Sequence, residues 1–302
     1  MKMPKIYQKT KGIFYVIAAA FGFSGMSLFV KLAGDLPAMQ KAFFRNFIAL
    51  IFITLLIIKN RDGFIPKKGS IPSLLGRSIC GTVGLLCNFY ALGQLNLSDA
   101  NMLNKLSPFF SILFSAVLLK EMPNIVQLLG VATAFVGSML IIKPGFENPA
   151  ILAAIAGTVG GLGAGMAYTF VRKLGARGEK SNRIVFWFSA FSCLVCLPFI
   201  IIDYKHMSAL QLLYLVLAGV CACIGQLGIT KAYICAPAKE ISVYDYTQVI
   251  FAAVLGFFVF GDLPDIFSLI GYVLICGAGV FMFLYNNGKL GRSKAESESK
   301  KS

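Results

Sequence analysis

Glu121-Met122-Pro123-Asn124-Ile125-Val126-Gln127-Leu128-Leu129-Gly130 returns as Asp262-Leu263-Pro264-Asp265-Ile266-Phe267-Ser268-Leu269-Ile270-Gly271. The offset between the two stretches is 141 positions. The same ungapped offset lays Lys31 on Arg172, Gly22 on Gly163, Gly84 on Gly225 and Ala91 on Ala232. Apolar segments match easily by chance, but punctuating acid, proline and glycine residues do not stay in step along a whole chain by accident. The chain therefore reads as two copies of one unit, and internal repetition at this scale decides the architecture.

Hydrophobic residues make up 57% of the 302 and charged residues only 14%. A soluble domain carries about 25% charged residues. Apolar runs of about 20 residues recur down the chain, each long enough to cross a hydrocarbon core of about 30 Å. Only helices are expected, because in lipid each backbone amide must find its partner within the chain. The expected fold is an all-α integral membrane protein of ten transmembrane helices, at 12–32, 38–59, 71–94, 97–119, 124–143, 149–171, 184–203, 208–234, 240–261 and 265–286. The expected division is a tail 1–11, a first five-helix repeat 12–143, a second 149–286 and a polar, disordered tail 287–302. Each repeat holds an odd number of spans, so the copies are inverted with respect to one another. Inverted repeats in a membrane are a recurring architecture of secondary transporters.

A net charge of +15 raises the question of nucleic acid. The charges lie in short loops and tails with no interleaved aromatic stripe, which argues against a nucleic-acid partner. They set orientation instead. Segments 1–11, 59–77, 120–123, 172–183, 236–240 and 287–302 carry 21 Lys and Arg, whereas the alternate segments carry Lys31, Lys41, Lys143 and Lys205. Basic loops stay in the cytoplasm, so both termini are expected there, with the protein in a bacterial-type inner membrane. The basic N-terminus and Ala18-Ala19-Ala20 imitate a signal peptide. Cleavage would leave one repeat a helix short.

The eight cysteines sit in apolar stretches and read as small packing residues. Cys193-x-x-Cys196 lacks further ligands for a metal, and the lone His206 lies in a loop. No phosphate-binding glycine loop or nucleophile–base set is found. The expectation is no enzyme, no cofactor and no metal. Gly157-x-x-x-Gly161-x-x-x-Gly165 offers close backbone approach, either within the chain or at a homodimer seam.

The junctions Leu118-Leu119-Lys120-Glu121-x-Pro123 and Val259-Phe260-Gly261-Asp262-x-Pro264, with Phe44-Arg45-Asn46 and Ser107-Pro108-Phe109, resemble EamA-type proteins of the drug/metabolite transporter superfamily. The resemblance spans essentially the whole chain. It implies two inverted five-helix halves around a central cavity lined mainly by helices 1, 3, 4, 6, 8 and 9. It also implies transport of metabolites, amino acids, nucleotide-like compounds or toxic cations. The chain departs from the small multidrug members, having two fused repeats and no glutamate in its first helix. Arg45 and Pro108 fall opposite Phe186 and Val249, so the halves are not chemically equivalent.

Polar groups that persist in a membrane core usually face a cavity or a partner. In the fourth helix Asn101, Asn104, Lys105 and Pro108 share a face. Pro108 frees the carbonyl of Asn104. The repeat sets Asn104-Lys105 opposite Asp245-Tyr246, so Lys105 and Asp245 could meet across the pseudo-twofold axis. The alternatives are that Lys105 snorkels to headgroups and that Asp245 caps its helix. Asn88, Tyr90, Gln226, Thr230, Lys231, Tyr244 and Gln248 complete the expected substrate cavity, and Ser24, Ser27, Tyr168 and Thr169 are further polar candidates. Arg45 is expected near the outer face, in the access path or as a gate with Pro108, either neutralising an anion or paired with a carbonyl or Asp35. The expected partners are a small-molecule substrate, with an anionic or zwitterionic one weakly favoured by the lysines, and the lipid bilayer. Proton coupling is left open. The competing readings are a membrane enzyme acting on lipid or isoprenoid and a non-transporting sensor.

Overall fold

A computed structural model describes residues 5–119, 124–142, 150–235 and 244–286. The described residues form helices α1 (Lys5–Leu32), α2 (Ala38–Asn60), α3 (Ile71–Gln94), α4 (Leu97–Asn104), α5 (Ser107–Leu119), α6 (Ile125–Ile142), α7 (Ile151–Ala176), α8 (Ser181–Ile202), α9 (Ala209–Cys235), α10 (Thr247–Phe260) and α11 (Ile266–Asn286). Thr10–Leu32, Ala38–Asn60, Ile151–Ala176, Ser181–Ile202 and Ala209–Cys235 are long and apolar enough to span a bilayer. The bundle's outer surface is apolar, with Phe14, Phe21, Leu55, Leu194 and Phe258 exposed. Such a surface belongs in lipid rather than water.

The two most extensive seams between the halves are copies of each other. α1 packs along α9, and α3 along α7. A Cβ on Gly22 would lie 2.7 Å from the Gly225 amide nitrogen and 2.8 Å from the Cys221 carbonyl oxygen. A Cβ on Gly163 would lie 2.8 Å from both Gly84 Cα and the Cys80 carbonyl oxygen. Every residue in the first set maps onto one in the second by the offset of 141. Both seams run backbone against backbone, which only the absence of a side chain permits. The pseudo-twofold axis read from the sequence is thus present in the packing. α6 and α11 pack chiefly on one another, to the side of these seams.

One expected span is broken. The helix expected over 97–119 stops at Asn104 and restarts at Ser107, leaving Lys105 and Leu106 in a turn. Pro108 has no amide hydrogen to give to Asn104, so the ladder cannot cross this point. The second repeat breaks in register. Residues 244 and 245 are helical, Tyr246 is a turn, and α10 begins at Thr247. Val249 occupies the place of Pro108 there, so proline is not what breaks that copy. The glycine stripe of α7 accommodates the first break. A Cβ on Gly161 would meet the Leu103 carbonyl at 2.7 Å, and one on Gly165 the Ser107 carbonyl at 2.6 Å. The stripe therefore serves packing within the chain.

Candidate functional site

A cavity of about 70 Å³ lies where the two halves face each other. Phe23 and Ala164, Met26 and Ala167, and Leu85 and Gln226 all line it. Each pair is related by the repeat offset, so the cavity straddles the pseudo-twofold axis. Its polar groups come from Arg45 on α2, Arg77 and Asn88 on α3, Asn104 on α4, Tyr168 on α7, Gln226 on α9 and Gln248 on α10.

Arg45 is 0% exposed and Arg77 is 2% exposed. By helical rise, Arg45 lies about 10 Å below one end of α2, and Arg77 about 9 Å from the end of α3 at the opposite face. They reach the cavity from its two sides. Arg77 Nη2 donates to Gln226 Oε1 at 3.0 Å. Arg45 Nε donates to Met26 Sδ at 3.3 Å, and its Nη1 donates to Asn46 Oδ1. Both guanidiniums sit over Phe188, Arg77 at 4.2 Å and Arg45 at 5.9 Å from the ring centroid, which caps their separation at the sum of those distances. Arg45 Nη2 and Arg77 Nε have no hydrogen-bond partner among the described residues.

Beside the cavity lies an ion pair. Lys105 Nζ is 2.8 Å from Asp245 Oδ1, and the two side chains are 3% and 2% exposed. This is a contact of charge rather than of aligned hydrogen bonds, because neither carboxylate oxygen receives a hydrogen bond of good geometry. The partners sit at the two helix breaks, one from each half. One turn further, Gln248 Nε2 donates to Asn101 Oδ1 at 2.6 Å. Ser27 Oγ donates to the same oxygen at 3.1 Å, and Ser24 Oγ to the Gln248 carbonyl at 2.9 Å.

The structure thus brings Asn88, Asn104, Gln226, Gln248 and Arg45 to one cavity and sets Lys105, Asp245 and Asn101 beside it. Pro108 is buried at the break. Thr230 is buried outside the cavity lining, and Tyr244 is partly buried against the main core. Tyr90 is 41% exposed and points outward, away from the cavity. Lys231 stands over Tyr15 at 5.5 Å and lines a different pocket, with Lys11, Asp62 and Lys180, at the face that carries the N-terminus. Arg45 is not near a surface and pairs with neither Asp35 nor a carbonyl among its contacts. Arg77 is missing from the residues expected at the site. It was counted with a basic loop, although it lies six residues inside the third expected helix. Its presence on the same face as Asn88, eleven residues on, was a readable signal.

The halves also make contacts at both faces. At the N-terminal face, Asp62 is 2.7 Å from Lys180 and accepts from Asn182 Nδ2 at 2.6 Å. Arg183 donates to the Asp62 carbonyl at 2.7 Å, the Gly63 carbonyl at 3.2 Å and Glu179 at 2.7 Å. The Lys67 amide donates to Glu179 at 2.6 Å. The hydrogen bond from Lys180 is the chief reason the Asp62 carboxyl lies below its ordinary range. Burial alone would raise Glu179, but the Lys67 amide and Arg183 outweigh it and bring that carboxyl below the usual value. At the opposite face, Gln40 exchanges hydrogen bonds with the Lys205 backbone at 2.8 and 3.1 Å, and Gln211 donates to the Ala33 carbonyl at 3.0 Å. Lys31 pairs there with Asp262 at 2.7 Å. The counterpart of that pair, Arg172 with Glu121, involves a residue outside those described.

A polar pocket on an inverted-repeat axis, with contacts between the halves at both faces, fits one class: a multi-pass membrane transporter for small molecules. The EamA-like transporter family model matches the chain twice, over residues 10–143 and 151–285. The chain belongs to that family. It is 34% identical over 267 residues to the pseudopaline exporter CntI of Pseudomonas aeruginosa, covering 87% of this chain and 93% of that protein. It is 26% identical to human solute carrier family 35 member G1, over 89% of this chain and 78% of that one. A riboflavin transporter of Brucella anthropi is 25% identical, over 90% and 98% respectively. A solved crystal structure superposes with a TM-score of 0.69 at 14% identity, covering 93% of this chain and 99% of its own, and shares the fold.

Proposed function

We propose that the protein carries a small organic metabolite across a bacterial-type inner membrane by alternating access, as a secondary transporter and not as an enzyme. In this reading the halves, 12–143 and 149–286, rock about the cavity, and both tails lie in the cytoplasm. Asn88, Asn104, Gln226 and Gln248 contact the solute. The Lys105–Asp245 pair holds the two helix breaks together and yields when the halves separate. Relatives named as exporters or transporters of pseudopaline and riboflavin support an organic solute of moderate size. The observation that carries the proposal is a polar cavity on the pseudo-twofold axis with separate inter-half contacts on each side. A volume of about 70 Å³ is far below the ~300–1,000 Å³ of ordinary ligand pockets, so in this reading the cavity widens as the halves separate.

The test is a thermal-shift screen of the purified protein against a metabolite library, followed by flux of each hit in proteoliposomes with and without a pH gradient. Saturable flux is expected, and a dependence on the gradient would assign proton coupling. Lys105→Ala should abolish flux per folded molecule, with the amount of folded protein in the membrane measured alongside. Full flux in that variant removes the axis pair from the transport cycle.

A further inference from the structure

Resting on the transport reading above, we propose that Arg45 and Arg77 together form a clamp for an oxyanion, so that the transported solute carries a carboxylate or phosphate. Each arginine commits hydrogen bonds to neutral partners only: Asn46 and Met26 for Arg45, Gln226 for Arg77. No acidic side chain lines the cavity. One nitrogen of each guanidinium, Arg45 Nη2 and Arg77 Nε, is buried and without a partner among the described residues. The nearby acid, Asp245, is held by Lys105. Two buried cations thus face the cavity with donors to spare.

A buried charge without a counter-charge is among the costliest features a protein can carry, and more so in a membrane. Phe188 eases part of that cost by presenting its ring face to both guanidiniums. A ring face screens a cation but accepts no full hydrogen bond. The chemistry that would satisfy both free nitrogens at once is an acceptor with negative charge and several lone pairs. A guanidinium matches a carboxylate or phosphate in shape as well as in charge. Cations repel one another here, so a positively charged solute is excluded by the same residues. Asn88, whose Oδ1 is also unpartnered, and Gln226 remain to read neutral groups of the solute.

The lysines that suggested an anion from the sequence do not carry this inference. Lys105 is neutralised by Asp245, and Lys231 faces another pocket.

The full chain in nanodiscs is melted with a panel of metabolite carboxylates, each matched to its uncharged primary amide, together with inorganic phosphate and putrescine. At saturating concentration one or more acids are expected to raise the melting temperature by ~3–5 °C, and their amides by less than ~1 °C. Arg45→Gln and Arg77→Gln should each lose that rise. Without ligand they should melt no lower than wild type, since each removes an uncompensated charge. Arg77→Lys, which keeps charge but not the planar fork, should retain only part of the rise. Response to phosphate alone would assign the clamp to phosphorylated solutes. If amides or putrescine stabilise the protein as well as acids do, or if the acid response survives both glutamine variants, the clamp is overturned. The transporter reading stands in either case, because a ligand has still bound. If neither an acid nor phosphate has an effect, the clamp is likewise overturned, and liposome flux of neutral solutes then decides the transport reading by itself.

Discussion

The two halves share a backbone and disagree about charge. Their seams are superimposable in kind, with Gly22 against Gly225 and Cys221 in one and Gly163 against Gly84 and Cys80 in the other. Their helix breaks fall at matching positions, at Lys105 and at Tyr246. Yet Arg45, Arg77 and Lys105 of the first half stand opposite Phe186, Ala218 and Tyr246 of the second, while Asn104 stands opposite Asp245. All the cavity's cations come from one copy. The clasps diverge in the same way. Asp62, Lys180 and Arg183 join the halves at the N-terminal face through charged groups, whereas at the other face Gln40 meets backbone in the matching region and the charge is confined to the Lys31–Asp262 pair. In the transport reading, duplication preserved the seams along which the halves would move and released the side chains that would recognise the solute.

The comparison is broken most directly at the axis pair. Lys105→Met leaves Asp245 buried and unpaired, which costs about 3–5 kcal/mol. Asp245→Leu combined with it should recover most of that loss, as read by thermal melting in detergent. A silent Lys105→Met would mean that the asymmetry at the axis carries no energy. Next come the seams, where symmetry should hold. Gly22→Val and Gly163→Val each force a side chain onto backbone and should cost about 1–3 kcal/mol or more. The two losses should agree, and a large difference would show that the seams are not equivalent.

The clasps should differ more modestly. Arg183→Ala removes three charge-assisted bonds and should open the N-terminal face about tenfold, seen as faster hydrogen exchange over residues 61–70. Gln40→Ala removes two neutral bonds, worth about 1 kcal/mol, and should affect residues 203–207 less. The smallest effect is in pH. Because the folded Asp62 carboxyl is held below its ordinary value, its contribution is full above that ordinary value and is lost as pH falls through the lowered one. Exchange protection of the clasp, corrected for intrinsic rate, should be flat from about pH 7 to 5 and fall below about pH 4. A change between pH 6 and 7 would point to some other group.

Much of this was readable beforehand, because it depends on relations between residues rather than on where each one faces. The repeat offset set Asn104-Lys105 opposite Asp245-Tyr246, which made a Lys105–Asp245 contact one of the readings, and it aligned Gly22 with Gly163 and Gly84 with Gly225 as equivalent positions without saying which glycine meets which. Facing was the weak point. A helix surrounded by lipid is apolar on most sides, so its polar stripe gives little phase, and one residue turns a side chain by about 100°. Tyr90 and Lys231 were accordingly misplaced into the cavity. Arg77 failed for another reason. A basic residue near a span's end looks like an orientation charge, and only the packing of α3 on α7 and α8 shows that it points inward. The break at Lys105–Leu106 was signalled by Pro108, which frees the Asn104 carbonyl, but its partner at Tyr246 has no proline to announce it.

The glycine seams carry one more consequence. Both seams are close glycine contacts on one axis, so in the alternating-access reading the shape open to one face is related to the shape open to the other by that twofold rotation. Sterics alone then favour neither. On that reading the resting posture of the carrier would be set by clasp residues such as Arg183, Asp62 and Gln40, and a single substitution there would shift which face is open without touching the cavity.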